Sequence, residues 1–157
     1  MAAEAVFENK EITDFIVQLE EKLKTIPSGE EKFRKLASVI VYRDVLDHFE
    51  KEAGPNGKWE HWSFLYTVQM EKRGKGGNKI LQDSGRLRNN FKPTNVRGGK
   101  DGTVWFNDAT TKSGFPYAHA HNEGEGNLPK REFMWFSEKA LDKLAEQTLK
   151  FLVKEGS

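Results

Sequence analysis

The chain has 157 residues, 36% apolar and 31% charged, with a formal net charge of +1. That length suits one domain, and a domain of this size buries roughly two-thirds of the surface its unfolded form exposes. The absence of cysteine excludes disulfides, zinc–thiolate sites and thiol nucleophiles, while 11 Phe, 4 Trp and 3 Tyr exclude disorder throughout.

In chain order, Ile12, Phe15, Ile16, Leu19, Leu23 and Ile26 form one apolar stripe at helical spacing. Pro27-Ser28-Gly29 ends that helix. Ser28 and Glu31 make the S-x-x-E pattern of a capping box and open a second helix, which should run to about Ala53 before Gly54-Pro55 stops it. Phe33, Leu36, Ala37 and Ile40 lie on one face of this helix, and Val39, Tyr42, Val45, Leu46 and Phe49 on an offset one. So broad a band implies burial on more than one side, against this chain's own elements or another subunit.

Gly54-Pro55-Asn56-Gly57 is a turn, after which Trp59, Trp62, Phe64 and Tyr66 form an aromatic cluster expected to close the core in a short helix or irregular segment. Residues 72–79 carry three glycines, four cations and no apolar residue, the composition of a mobile loop. Residues 88–96 and 103–106 flank a glycine-rich turn at 98–102 and read as a β-hairpin, with a turn longer than two residues. Residues 117–121 read as a strand or the start of a helix. Ser137 is a good N-cap, and Leu141, Leu144, Ala145, Leu149 and Leu152 predict a closing helix. The expected fold class is α+β: two N-terminal helices, a small antiparallel sheet with long loops and a C-terminal helix, in one domain over 1–157.

Charge is unevenly spread. Residues 1–57 hold eight cations against twelve acids, residues 72–100 nine against one, and residues 101–157 seven against nine. A basic middle between acidic ends suits self-complementary surfaces, and equally a solvated surface. The start Met1-Ala2-Ala3-Glu4-Ala5-Val6 lacks the basic opening and apolar run of a signal peptide. No stretch approaches the roughly 20 apolar residues that span a bilayer. We expect a soluble protein, compatible with a reducing cytoplasm, with no membrane partner.

His119 and His121, two apart on a strand, would face the same way with Glu123 and Glu125 nearby. A zinc site needs further donors on rigid backbone, and Gly124 and Gly126 make this stretch a poor one, so local hydrogen bonding is the expectation. Gly74-Lys75-Gly76-Gly77 lacks the G-x-x-x-x-G-K-[ST] pattern of a phosphate loop. Ser84 has no nucleophile elbow around it, and no two of the 24 acidic residues stand out as a catalytic pair. We expect no enzyme, no catalytic or metal-ligating residues and no cofactor. The cations Lys72, Arg73, Lys75, Lys79, Arg86, Arg88, Lys92, Arg97 and Lys100 could meet a phosphate backbone. Aromatics do not interleave with them and no helix carries them as a stripe, so a solvated loop or a basic surface docking on an acidic protein face is favoured. A nucleic-acid-binding module built on residues 72–100 is the alternative function, and a metal-dependent hydrolase a third.

Three blocks together resemble the phage virion-morphogenesis family, the tail-completion proteins of the Mu G-protein type. The first is Gly57-Lys58-Trp59. The second is Ile80-Leu81-Gln82-Asp83-Ser84-Gly85-Arg86-Leu87-Arg88-Asn89-Asn90-Phe91, similar to the family's IL-x-DTG-x-LR-x-SI. The third is Tyr117-Ala118-His119-Ala120-His121-Asn122-Glu123-Gly124, then Leu128-Pro129-Lys130-Arg131-Glu132-Phe133. The resemblance covers about residues 55–137. Beside it, Asp83-Ser84-Gly85 reads as a tight turn directing a strand that carries Leu87 and Phe91. Gly124 and Pro129 bracket a projecting loop, and Arg131 offers a rigid fork for carboxylates or carbonyls.

The resemblance implies a structural virion protein, a head–tail neck or tail-completion subunit whose copies form a ring joining portal-side components to the tail. A contractile tail is compatible with it. Implied partners are further copies of the chain, portal or head-completion proteins, and tail-terminator or tail-tube proteins. DNA would pass through the channel without sequence reading. Such a protein is located in the virion after assembly in the host cytoplasm. Lys72, Arg73, Lys75, Lys79, Arg86, Arg88 and Arg131 are the candidate interface and loop residues. Trp59, Leu81, Asp83, Gly85, Leu87, Tyr117, His121, Gly124, Pro129 and Phe133 are the residues that carry the motif and the fold.

Overall fold

The computed structural model describes residues 3–5, 17–18, 21–22, 24–26, 29–99 and 102–155. Most of the first expected apolar stripe, Ile12 through Leu23, therefore lies outside the described residues, as do Ser28 of the capping box and Lys100. Five strands and five helices are delimited among them: β1 (Ala3–Ala5), α1 (Gly29–Lys51), β2 (Ala53–Gly54), β3 (Gly57–Lys58), α2 (Phe64–Lys72), α3 (Arg86–Asn90), β4 (Val96–Gly99), β5 (Gly102–Asn107), α4 (Tyr117–Glu123) and α5 (Glu138–Glu155). The class is mixed α+β. No described helix is long and apolar enough to cross a membrane.

Helix α1 organises the rest. Glu30 and Glu31 in its first turn and Lys51 in its last complement the helix dipole. Phe33, Ala37, Ile40, Val41, Val45 and Phe49 are buried along it, an i, i+4, i+7 progression. The band is narrower than the two predicted stripes, since Val39 is 42% exposed and Leu36, Tyr42 and Leu46 are half-buried. Two polar residues, Ser38 and His48, take buried places instead. Ser38 Oγ accepts from Trp105 Nε1 at 3.0 Å. His48 Nδ1 donates to the Phe133 carbonyl at 2.9 Å, and its ring stacks on Trp135 at 4.1 Å.

The main sheet is antiparallel with order β1-β5-β4. Strands β4 and β5 pair from Val96↔Trp105 to Gly99↔Gly102, so the hairpin is tighter than expected, with only residues 100–101 between the paired ends. Its first strand starts at Val96, well after the expected residue 88. Central strand β5 turns Trp105 and Asn107 inward by the two-residue alternation of a strand. Strand β2 pairs with β3 around Pro55-Asn56, where α1 was expected to stop. Helix α5 packs on α1 and starts as predicted, with Ser137 Oγ accepting from Ala140 N at 3.1 Å. It buries Ala140, Leu144 and Thr148, leaving the expected core residue Leu149 54% exposed.

The core joins these layers around aromatic rings. Phe49 meets Trp59 edge-on at 5.7 Å and Phe133 at 5.2 Å, and Trp105 meets Phe136 edge-on at 5.8 Å. The predicted aromatic cluster divides. Trp59 enters this core, whereas Phe64 is 81% exposed and Tyr66 39%. Helix α2 follows from Ser63, whose hydroxyl accepts from Tyr66 N at 3.3 Å, and its amphipathic burial is limited to Met70.

Candidate functional site

Gly85, at φ 72°, occupies the left-handed region open to glycine. The chain leaves it as the short helix α3, not the predicted strand. Asn89 N donates to Gly85 O, and burial of Leu87 and Phe91 fixes this coil against the core. Across the turn Ser84 Oγ accepts from Arg86 N at 3.4 Å, while Asp83 faces the preceding loop. Its carboxylate takes Arg73 Nη2 at 3.1 Å and Lys75 Nζ at 2.5 Å, and these cations hold it below the usual carboxylate range. The 72–79 loop is thereby tied down at both cations. Leu81 has φ 61°, a left-handed conformation costly for a branched side chain.

Residues 117–121 are helical within α4. Two positions apart on a helix is about 200° of rotation, so His119 and His121 diverge and the same-face pair expected on a strand is not formed. His119 Nε2 lies 3.0 Å from Glu125 Oε1. His121 is pulled below its ordinary pKa by burial and by the Arg131 charge, and its Nδ1 is buried without a partner. Among the described residues no group of three or more His, Asp or Glu is placed to hold a metal.

Gly124 ends α4 at φ 73°, and the chain returns past Pro129 to Arg131, whose N–H donates to His121 O at 2.9 Å. Arg131 acts as a fork for carbonyls: Nε donates to Glu60 O at 3.0 Å and Nη2 to His61 O at 3.4 Å. It is only 7% exposed, so the residue expected on an interface loop is instead a buried clamp. Trp59 Nε1 donates to Glu132 O at 3.0 Å, a second tie between the first and third sequence blocks.

These ties make a cleft of about 710 Å³ whose wall takes members from all three blocks or their immediate neighbours. Trp62 and Tyr66 come from the segment after Trp59, Leu81, Asp83 and Leu87 from the second block, and Tyr117, His121, Pro129 and Arg131 from the third. Arg86 and Lys112 add exposed cations. Trp59, Gly85, Gly124 and Phe133 are not among the residues that line it. Lys79 and Arg88 are elsewhere, paired with Glu50 at 2.9 Å each. Arg97 lies over the Phe106 ring, and Lys72 is exposed at the end of α2.

Sequence reasoning missed Asn122 and Glu60–Tyr66 as parts of one construction. Asn122 Oδ1 accepts from Phe133 N and Met134 N, a long-range link with no local signal. The outward turn of Phe64 and Leu65 had a signal: both precede the first buried residue of α2, at its capped end. No family model, curated protein or solved structure matches the chain.

Proposed function

We propose that this chain is a structural subunit of a tailed-phage virion, at the head–tail neck or tail completion, acting through ring assembly. The carrying observation is the shelf formed by Phe64 and Leu65, 81% and 74% exposed, beside a cleft lined by the second and third resemblance blocks and by the segment that follows the first. Adjacent large apolar side chains left in water on an ordered helix are what another chain buries. Arg73, Lys75, Lys79 and Arg88 are engaged by Asp83 and Glu50, so these four cations serve internal ties, which favours a protein interface over phosphate-backbone binding. Ring closure would follow from a head-to-tail contact whose rotation completes a circle.

The test combines the purified chain with portal and tail components and reads mass by light scattering and shape by electron microscopy. Rings of this chain, alone or seated on a partner ring, are the expected result. A chain that stays monomeric in every mixture would sink the proposal.

A further inference from the structure

Asn56 is followed by glycine, and none of the other eight asparagines of the chain is. It stands in the turn between β2 and β3, whose ladder consists of Ala53↔Lys58 and Gly54↔Gly57. Pro55, Asn56, Gly57 and Lys58 are all exposed. Gly57 has φ 119°, and no atom lies within 4 Å of the place a Cβ would take. With no side chain of its own, Gly57 leaves its backbone nitrogen unscreened toward the Asn56 amide. So short and solvated a ladder opens locally at small cost, and opening frees that nitrogen to react.

The backbone behind the turn is closely placed. Trp59 N donates to Glu52 O at 2.8 Å, and Lys58 Nζ donates to Lys51 O. Trp59 Nε1 holds Glu132 O at 3.0 Å. A Cβ at Gly54 would stand 3.2 Å from that same carbonyl and 3.4 Å from Trp59 Nε1. A change in the length of the turn therefore bears directly on the tie between Trp59 and the return segment.

We propose that Asn56 is a spontaneous modification site, passing through a succinimide to isoaspartate and loosening the Trp59–Glu132 tie. The Gly57 nitrogen attacks Asn56 Cγ. The N–Cγ bond forms, the Cγ–Nδ2 bond breaks, and ammonia leaves with the proton from Gly57 N. Water then adds to one of the two imide carbonyls. Opening at the original main-chain carbonyl routes the backbone through Cγ and lengthens it by a methylene, which is isoaspartate; opening at Cγ gives aspartate. Water is the sole co-reactant, nothing is oxidised or reduced, and either product adds one negative charge. The inference goes beyond ring assembly and holds whether or not the chain closes into a ring.

The test keeps the full chain in mildly alkaline buffer for several weeks and follows each asparagine by peptide mass spectrometry. Conversion at Asn56 is expected to run at least about tenfold faster than at any asparagine followed by a side-chain-bearing residue. Fragmentation that distinguishes isoaspartate from aspartate assigns the product. Asn56→Gln, which would have to close a larger ring, is expected to remain unmodified at that position. The isolated isoaspartyl chain should melt below Asn56→Asp, which adds the charge without lengthening the backbone. An unconverted Asn56, or one no faster than the other asparagines, would overturn the site. An isoaspartyl chain that melts together with Asn56→Asp would overturn its effect on the Trp59–Glu132 tie.

Discussion

Asn122 holds the backbone of Phe133: its Oδ1 accepts the Phe133 N–H at 3.1 Å, and the Met134 N–H at 3.0 Å, in the buried interior. One side-chain oxygen thus satisfies two main-chain donors that water does not reach, and it fixes the return segment that carries Arg131 against α4.

Asn122→Leu, close in size, would leave both N–H groups without an acceptor. Each buried orphan costs about 1–3 kcal/mol, so a loss of about 2–4 kcal/mol is expected. Urea denaturation should show the midpoint falling with the slope unchanged. A midpoint within error of the parent would mean that other acceptors replace the Asn122 oxygen.

Asp44 predicts a specific acid sensitivity. Burial works to raise its pKa, but the His48 ring and the Ser137 side-chain and backbone donors outweigh burial and leave it lowered. The Ser137 hydrogen bonds measure 2.9 Å from N and 2.5 Å from Oγ. A depressed folded-state pKa stabilises the fold above the unfolded value of about 3.9, and that contribution is lost as pH falls through the folded pKa. Melting temperature should therefore drop below about pH 4, and Asp44→Asn should lower it at neutral pH while flattening that acid limb. An unchanged acid limb in Asp44→Asn would move the sensitivity to another carboxylate.

Gly124 and Gly85 separate two kinds of glycine. Both have positive φ, near 73° and 72°, which costs an alanine about 1–2 kcal/mol. A Cβ at Gly124 would also stand 2.9 Å from Lys130 N and Cα, whereas at Gly85 it meets only the Asn89 side-chain amide at 3.3 Å. Backbone cannot swing aside as an amide can. Gly124→Ala should cost about 2–4 kcal/mol and Gly85→Ala about 1–2 kcal/mol, read from paired denaturation curves. Equal losses would show that the Lys130 backbone yields.

Much of this architecture is legible along the chain, and its failures share a cause. The spacing of Phe33, Ala37 and Ile40 predicts α1, the glycines around residues 98–102 predict the hairpin, and Ser137 predicts the start of α5, because each signal is local. Leu87 and Phe91 read as strand residues because a five-residue helix is too short to show a period; both are buried in the core. Strand β1, Ala3–Ala5, has no β-branched or aromatic residue and exists through pairing with β5. Arg131 reads as a surface cation until the Glu60 and His61 carbonyls, some seventy positions earlier, are brought to it. The three blocks were visible in sequence; the cleft they enclose depends on these distant ties.

Phe64 and Leu65 provide the sharpest separation of fold from assembly. Both are mostly solvent-exposed at the start of α2, and the cap that starts the helix is made by Ser63, so Phe64→Ser with Leu65→Ser removes apolar area without touching a core contact or the cap. Surface changes of this kind usually alter stability by no more than about 0.5 kcal/mol each, so the melting temperature should stay close to the parent's. If the shelf meets another chain, the same variant loses its place in rings with portal and tail components, because each large side chain returned to water forfeits about 1.5–3 kcal/mol of burial. Light scattering alongside a thermal melt reads both quantities from one preparation. A variant that still assembles as the parent does would remove this shelf from the interface and leave the fold unaffected.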